Sequence, residues 1–336
     1  MIGSIYGALV QHRPQLKSFL QMEEDEDQDE VDSRFLADLI IRSMPWPIGV
    51  ELRRLFSAAL AEPHRQRLDQ LFKTFERTLQ FTCFAFCAQL LDAAAHTKIK
   101  VPENIAAEFK RRWVQLTLGN ITWAIAQLQT IIEQNGMTPF LTESKEALTR
   151  NFFSTCETWV PERNQIGHYL INLDEEQIQM KCVELQEKLT SVLCALAFLG
   201  KYKMVSVRAI QVEKQRRSGA HYTHMVNILN SANSDFKAQE IDQGIFTESR
   251  SVLLLRTTKN MGDHLNLSPF IVDTGIERID TKEKMVIKKD IFLYSKFAND
   301  TLHYSGTEAT DRHDLRALSN YQVLLADMRS FLEIFS

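Results

Sequence analysis

Over most of the first 200 positions apolar residues recur at intervals of three and four, the spacing of one helix face. Between His64 and His96 the set Leu68, Leu71, Phe72, Phe75, Leu79, Cys83, Phe86 and Leu90 makes one stripe, which predicts a long amphipathic helix. A second long helix is predicted from Glu103, just after Pro102, to Glu133. It carries Ile105, Phe109, Trp113, Leu116, Ile125, Leu128 and Ile132, and Asn135-Gly136 supplies its stop. A third is expected to begin near Thr142 and to end before Pro161, because proline disfavours helical geometry in the residue ahead of it. A fourth runs from Asp174 to Leu199: Asp174 can cap it, Gln177 can reach back to the cap, and Gly200 closes it. Residues 1–45 read as a short helix, an acidic loop and a helix over Ser33–Arg42 before the turn at Met44-Pro45. Long helices with short connections pack most simply as an antiparallel bundle.

From Met204 the period drops to two, and β-branched and aromatic residues gather in MVSVRAIQVE, RSVLLLRTT, LNLSPFIV, MVIKKDIFLYSKF and TLHYSG. Turn signals at Asn260-Met-Gly262, Thr274-Gly275 and Ala298-Asn-Asp300 separate these runs, so a small antiparallel sheet of five or six strands is expected. Helical spacing returns from Asp311 to Phe335 and predicts a last helix packed on that sheet. The expected fold class is therefore α+β: an N-terminal antiparallel helical bundle, a small antiparallel β-rich domain and a C-terminal helix. The segments are 1–45 with the acidic loop, 46–200 for the bundle and 201–336 for the β-rich part.

Composition narrows the class. The chain has 336 residues, 44% of them hydrophobic, which is too apolar for a disordered chain. Its longest strongly apolar stretch, Ser191–Gly200, is half of a membrane span, so no membrane partner is expected. The N-terminus lacks the basic region of a signal peptide. Five cysteines sit in apolar helical patterns without paired spacing, which suits a reducing cytoplasm. The net charge of −4 is lopsided, because residues 23–32 hold eight carboxylates and no base. Without them the remainder is net +4, a balance open to a polyanion.

The segment Pro161-Glu162-Arg163-Asn164-Gln165-Ile166-Gly167-His168-Tyr169 falls between the third and fourth predicted helices. On an ideal helix, positions five apart are about 140° apart, but Pro161 and Gly167 suggest a backbone that is not straight. Arginine is a permanent cation whose planar fork suits phosphate oxygens, and histidine exchanges protons near neutrality. RNA brings its own nucleophile, the 2′-OH. Arg163, His168 and a bound RNA strand are therefore sufficient for chain cleavage with no metal and no cofactor. One histidine is short of the acid and base the reaction wants, and a two-fold dimer would supply both.

Arg-Asn-x-x-x-His followed by a short loop and an amphipathic helix, here RNQIGHY and LDEEQIQMKCVELQEKLTSVL, resembles the signature of the HEPN superfamily of compact helical domains. The likeness covers about 50–200. It implies a HEPN-like bundle, Arg163 and His168 as the catalytic pair with Asn164 as polar neighbour, and a homodimer whose motifs face each other. Glu162 and Tyr169 are adjacent candidates for substrate contact. It also implies an endoribonuclease that leaves 2′,3′-cyclic phosphate ends, a toxin or antiviral-defence role, and an antitoxin or activating partner subunit. Some members of the superfamily are catalytically silent interaction modules. A purely structural reading of the same residues is that Arg163 pairs with a carboxylate and His168 caps or packs at a helix end.

Other segments carry less chemistry. Lys201, Lys203, Arg208, Lys214, Arg216 and Arg217 stand against the single Glu213, and Lys110-Arg111-Arg112 form a trio; either group could hold a phosphate backbone. Lys201, Lys203, Arg216 and Arg217 are the leading substrate-binding candidates among them. His221-Tyr-Thr-His224 lacks the glutamate of a His-Glu-x-x-His site and reads as two solvated histidines, so no metal site is expected. Asp311-Arg-His-Asp314 is expected to open the last helix.

Overall fold

The computed structural model describes residues 1–21, 33–169, 173–278, 287–308 and 312–336, with the side chains at 20–21, 164–169 and 312 outside that description. The acidic segment 23–32 therefore lies outside the described residues. Helices α1 (Ile2–His12), α2 (Lys17–Gln21), α3 (Ser33–Ser43), α4 (Trp46–Leu55), α5 (Arg65–Ala94), α6 (Glu103–Trp113), α7 (Leu118–Gln134), α8 (Ser144–Ala147), α9 (Arg150–Tyr169) and α10 (Glu175–Ala195) come first. Strands β1 (Lys203–Glu213), β2 (His221–Ile228), β3 (Lys237–Gln243), β4 (Val252–Leu255), β5 (His264–Asn266), β6 (Ile271–Asp273), β7 (Ile291–Ala298), β8 (Thr301–Gly306) and β9 (Arg312–Asp314) follow, and α11 (Tyr321–Glu333) comes last. The fold is mixed α+β with antiparallel sheets and a C-terminal helix. Among the described residues no helix is long and apolar enough to cross a membrane.

Internal contacts divide the chain into two units. One comprises residues 1–81, 141–202 and 230–235, and the other 82–140, 203–229 and 236–336. The helices of 46–200 are thus shared out: α6, α7 and the last turns of α5 belong with the strands.

In the first unit the predicted stripe of α5 from Leu68 to Leu79 is buried. Its Phe75 stacks on Trp159 of α9 with ring centroids 4.1 Å apart and planes 8° apart, and Phe72 meets the same indole edge-on at 5.4 Å. Helices α3 and α4 approach so closely that a Cβ on Gly49 would lie 2.9 Å from the Ile41 carbonyl oxygen, so only glycine fits. Glu51 of α4 is only 2% exposed. Gln70 Nε2 donates to its carboxylate at 2.8 Å, and Arg54 lies 3.0 Å away. Helix α10 begins as its sequence requires: Asp174 accepts from the Gln177 N–H at 2.8 Å, and the Gln177 side chain accepts from the Asp174 N–H at 3.2 Å.

The third helix departs from expectation at both ends. It starts at Arg150, where the Thr149 hydroxyl accepts from the Phe152 N–H at 3.3 Å, rather than near Thr142. It also continues through Pro161 to Tyr169 instead of stopping before the proline. Proline removes the hydrogen bond to the carbonyl of Glu157, but both residues are exposed, so water can serve that oxygen. Buried Trp159 before the proline, and ion pairs from Glu162 and Arg163 after it, hold the helix on course.

In the second unit the expected single sheet is two, a five-stranded one in the order β3-β2-β1-β4-β5 and a four-stranded one in the order β6-β7-β8-β9. Pro269 lies between β5 and β6, where a residue without an N–H cannot carry ladder pairing onward. The hydroxyl of Ser206 on β1 donates to Asp273 on β6 at 2.5 Å and ties the sheets together. The helix predicted from Glu103 to Glu133 is broken at Val114–Thr117. There Gln115 forms a bridge with Lys296 of β7, Thr117 caps α7, and the Asn120 side chain donates to the Gln115 carbonyl at 2.9 Å. Strand pairing satisfies the backbone that an uninterrupted helix would have used. The last helix is also shorter than predicted, since Arg312–Asp314 pairs as β9 instead of opening it. Helix α11 packs through Phe331, 4.9 Å from Phe270 and 5.1 Å from Trp113, and its Tyr321 hydroxyl accepts from the Leu302 N–H of β8 at 2.9 Å.

Candidate functional site

Arg163, Asn164, His168 and Tyr169 all fall on α9, which carries Arg163 and His168 on one continuous helix. The backbone step between those two positions is a rotation of about 140° and a rise of about 7.5 Å. The side chains of Asn164, His168 and Tyr169 lie outside the described residues. Trp159, one turn before Arg163, is fully buried and fixes this face of α9 against α5. From there the Arg163 guanidinium reaches Glu76 of α5 at 3.2 Å and stays 46% exposed. Glu162 points to α10 instead and accepts from Lys181 at 2.8 Å; Lys181 also holds Glu184 at 3.0 Å. The two neighbours thus link α9 to α5 and to α10.

The cationic candidates separate. Lys201, in the first unit, is ion-paired to Glu143, whose other oxygen accepts from the Tyr202 hydroxyl at 2.7 Å. Burial alone would raise the Glu143 pKa, but these two partners hold it at about 2. Lys203 opens β1 in the second unit, opposite Leu255. Arg216 and Arg217 are exposed in the turn between β1 and β2. In the trio, Arg111 and Arg112 share Glu108 at 2.5 Å each, and Arg112 also lies over the Trp123 ring at 4.7 Å. Of the two histidines read as solvated, His221 is exposed but His224 is fully buried, because its position on β2 shares the face of Val226 in the core.

One titratable cluster escapes the sequence reading altogether. In the second unit Asp92 and Asp327 line a cavity of about 880 Å³ together with Glu248 and Asn266. Asp92 is exposed by surface area, yet the protein crowded around it, reinforced by the Glu248 charge, pushes its pKa up to about 7. His264 donates from Nδ1 to the Met261 carbonyl at 2.7 Å, which leaves Nε2 facing Glu248 at 3.7 Å. That carboxylate raises the imidazole's pKa, and the imidazole lowers that of Glu248 in return. Asp92 can therefore hold a proton near neutrality in a site where the imidazole of His264 is also shifted upward. No local motif announces the group, since its members come from α5, the β3–β4 connection, β5 and α11. Among the described residues no three His, Cys, Asp or Glu side chains converge as metal ligands.

Comparison with protein-family models, curated proteins and solved structures finds no match for this chain.

Proposed function

We propose that the protein is a metal-independent endoribonuclease of the HEPN type, acting as a homodimer through Arg163 and His168. The observation that carries the reading is the setting of the motif. Arg163-Asn164-x-x-x-His168 occupies the last turns of α9, immediately ahead of a capped α10, with the guanidinium half-exposed. A surface ion pair is worth only about 0–1 kcal/mol, so a phosphate oxygen can replace Glu76 at Arg163 with little loss. His168 takes the proton of the RNA 2′-OH, the O2′–P bond forms and the P–O5′ bond breaks. The partner's His168 gives a proton to the leaving 5′ oxygen, and Arg163 offsets the charge that builds on phosphorus. The products are a 2′,3′-cyclic phosphate and a 5′-OH. A toxin or defence role follows only from the resemblance.

The test is cleavage of generic RNA in EDTA by the wild type, Arg163→Ala and His168→Ala. Cleavage by the wild type with cyclic-phosphate ends, lost in both variants, supports the reading. Undiminished cleavage in both removes this site from the mechanism. A second reading, a catalytically silent interaction module, is favoured by one observation: Arg163 already has a carboxylate partner in Glu76. An inactive wild-type dimer would select it.

A further inference from the structure

The outer end of the five-stranded sheet carries an arrangement that the catalytic motif does not use. Val212 of β1, Tyr222 of β2 and Gln243 of β3 are successive cross-strand partners, so their side chains share one face. Further along that face Val226 and Ile241 are buried in the core, with His224 between them. At the outer end the core stops and apolar surface continues into solvent: Val212 is 55% exposed and Phe246 is 58% exposed. The Phe246 ring folds back onto Tyr222, with centroids 5.5 Å apart and planes at 64°. Two aromatic rings are thus held at the surface by the fold itself.

Charge around these rings is one-sided. The turn directly beyond Val212 and Tyr222 brings Lys214, Arg216 and Arg217, all exposed, within a few residues of the rings. None of the three has an ion-pair partner among the described residues. The nearby strand acids lie on the opposite face by the alternation of β-structure: Glu213, Glu240 and Asp242 occupy the other parity, and Thr223 of that parity donates to Asp242 at 2.7 Å. Two further acids close by are already engaged, Glu248 with His264 and Asp263 with Arg256.

Exposed rings edged by unpaired cations, on a face that the strand acids avoid, match the needs of a strand with exposed bases and a phosphate backbone. We infer that this end of the sheet is a single-stranded RNA-binding platform, on which Tyr222 and Phe246 stack bases while Lys214, Arg216 and Arg217 hold the backbone. The platform deepens the ribonuclease reading by naming the form of its substrate. It rests on that reading only in taking RNA rather than DNA as the strand. A duplex hides its bases and would lose the stacking contacts.

Binding of a fluorescent twelve-residue oligouridylate to the full chain tests this by anisotropy. His168→Ala is used throughout, so that no cleavage intervenes and failure of the catalytic reading leaves the binding result intact. Arg216→Glu with Arg217→Glu is expected to weaken binding at least tenfold at low salt and to lower the salt slope by about 1.4. Tyr222→Ala with Phe246→Ala is expected to weaken it about tenfold or more with the salt slope unchanged. Phe246→Leu keeps the apolar area without the π face and should also lose affinity. Wild-type affinity in Phe246→Leu would overturn base stacking on this face. Equal binding of an RNA duplex, or unchanged binding in the double arginine variant, would overturn the platform, and equal binding of oligothymidylate would overturn the choice of RNA.

Discussion

At the scale of single residues, the charged side chains fall into two kinds that deletion should separate. Arg163 and Glu76 are each partly exposed, so Arg163→Ala should change unfolding free energy by less than about 1 kcal/mol in urea. Loss of RNA cleavage in that variant would then report on chemistry and not on folding. A larger loss of stability would make Arg163 a structural residue. Glu51 is the opposite case, since its carboxylate is buried with Gln70 and Arg54 around it. Glu51→Ala removes this buried carboxylate from Gln70 and Arg54, and a loss of about 3–5 kcal/mol is expected by the same measurement. The alternation and spacing of the sequence mark Glu51 only as one polar position on α4. That it is buried depends on α5 lying over it.

Among elements, α9 shows best what local pattern can and cannot say. Pro161 is a valid stop signal, and the chain passes it because Trp159 packs between Phe72 and Phe75 of α5. Trp159→Ala should therefore cost about 3–5 kcal/mol and fray α9 from its middle, measured as lost helical circular dichroism with a lower Tm. Loss of no more than about 1 kcal/mol would show that the indole does not hold the helix. The boundaries written in local chemistry were legible: the α10 cap at Asp174, the stripe of α5, and the short helix at Ser33. The break at Val114–Thr117 was not, because its cause is a bridge to Lys296, far along the chain. The division into two sheets and the pairing of Arg312–Asp314 have the same non-local origin.

For the whole molecule, two sets of carboxylates, one in each unit, should respond to pH in opposite directions. Asp92 and Glu277, both in the second unit, hold their protons until about pH 7, chiefly because burial disfavours the charged form. Their unfolded counterparts ionise near pH 4. Between those values the folded state binds more protons, so this contribution to stability falls as pH rises from about 4 to about 7. Asp92→Asn should flatten that decline and raise Tm at pH 7 to 8, and an unchanged profile would refute the placement of Asp92. Glu143 of the first unit works the other way. Its pKa near 2 means that its stabilisation is present above about pH 4.5 and is lost as pH falls toward 2.

The sequence by itself determined the class of the fold and its order, helices and then antiparallel strands and a final helix, because apolar periodicity is a local property of consecutive residues. It also set Arg163, Asn164 and His168 within six consecutive positions, since that motif is contiguous in the chain. Tertiary structure alone decided which helices share a unit with the strands, that Lys201 is tied to Glu143, and that Asp92 stands in one cavity with Glu248. It likewise set Phe246 on Tyr222 beside an unpaired cationic turn. Those facts are pairings between residues distant in sequence, and only the closure of the chain on itself brings such partners within reach.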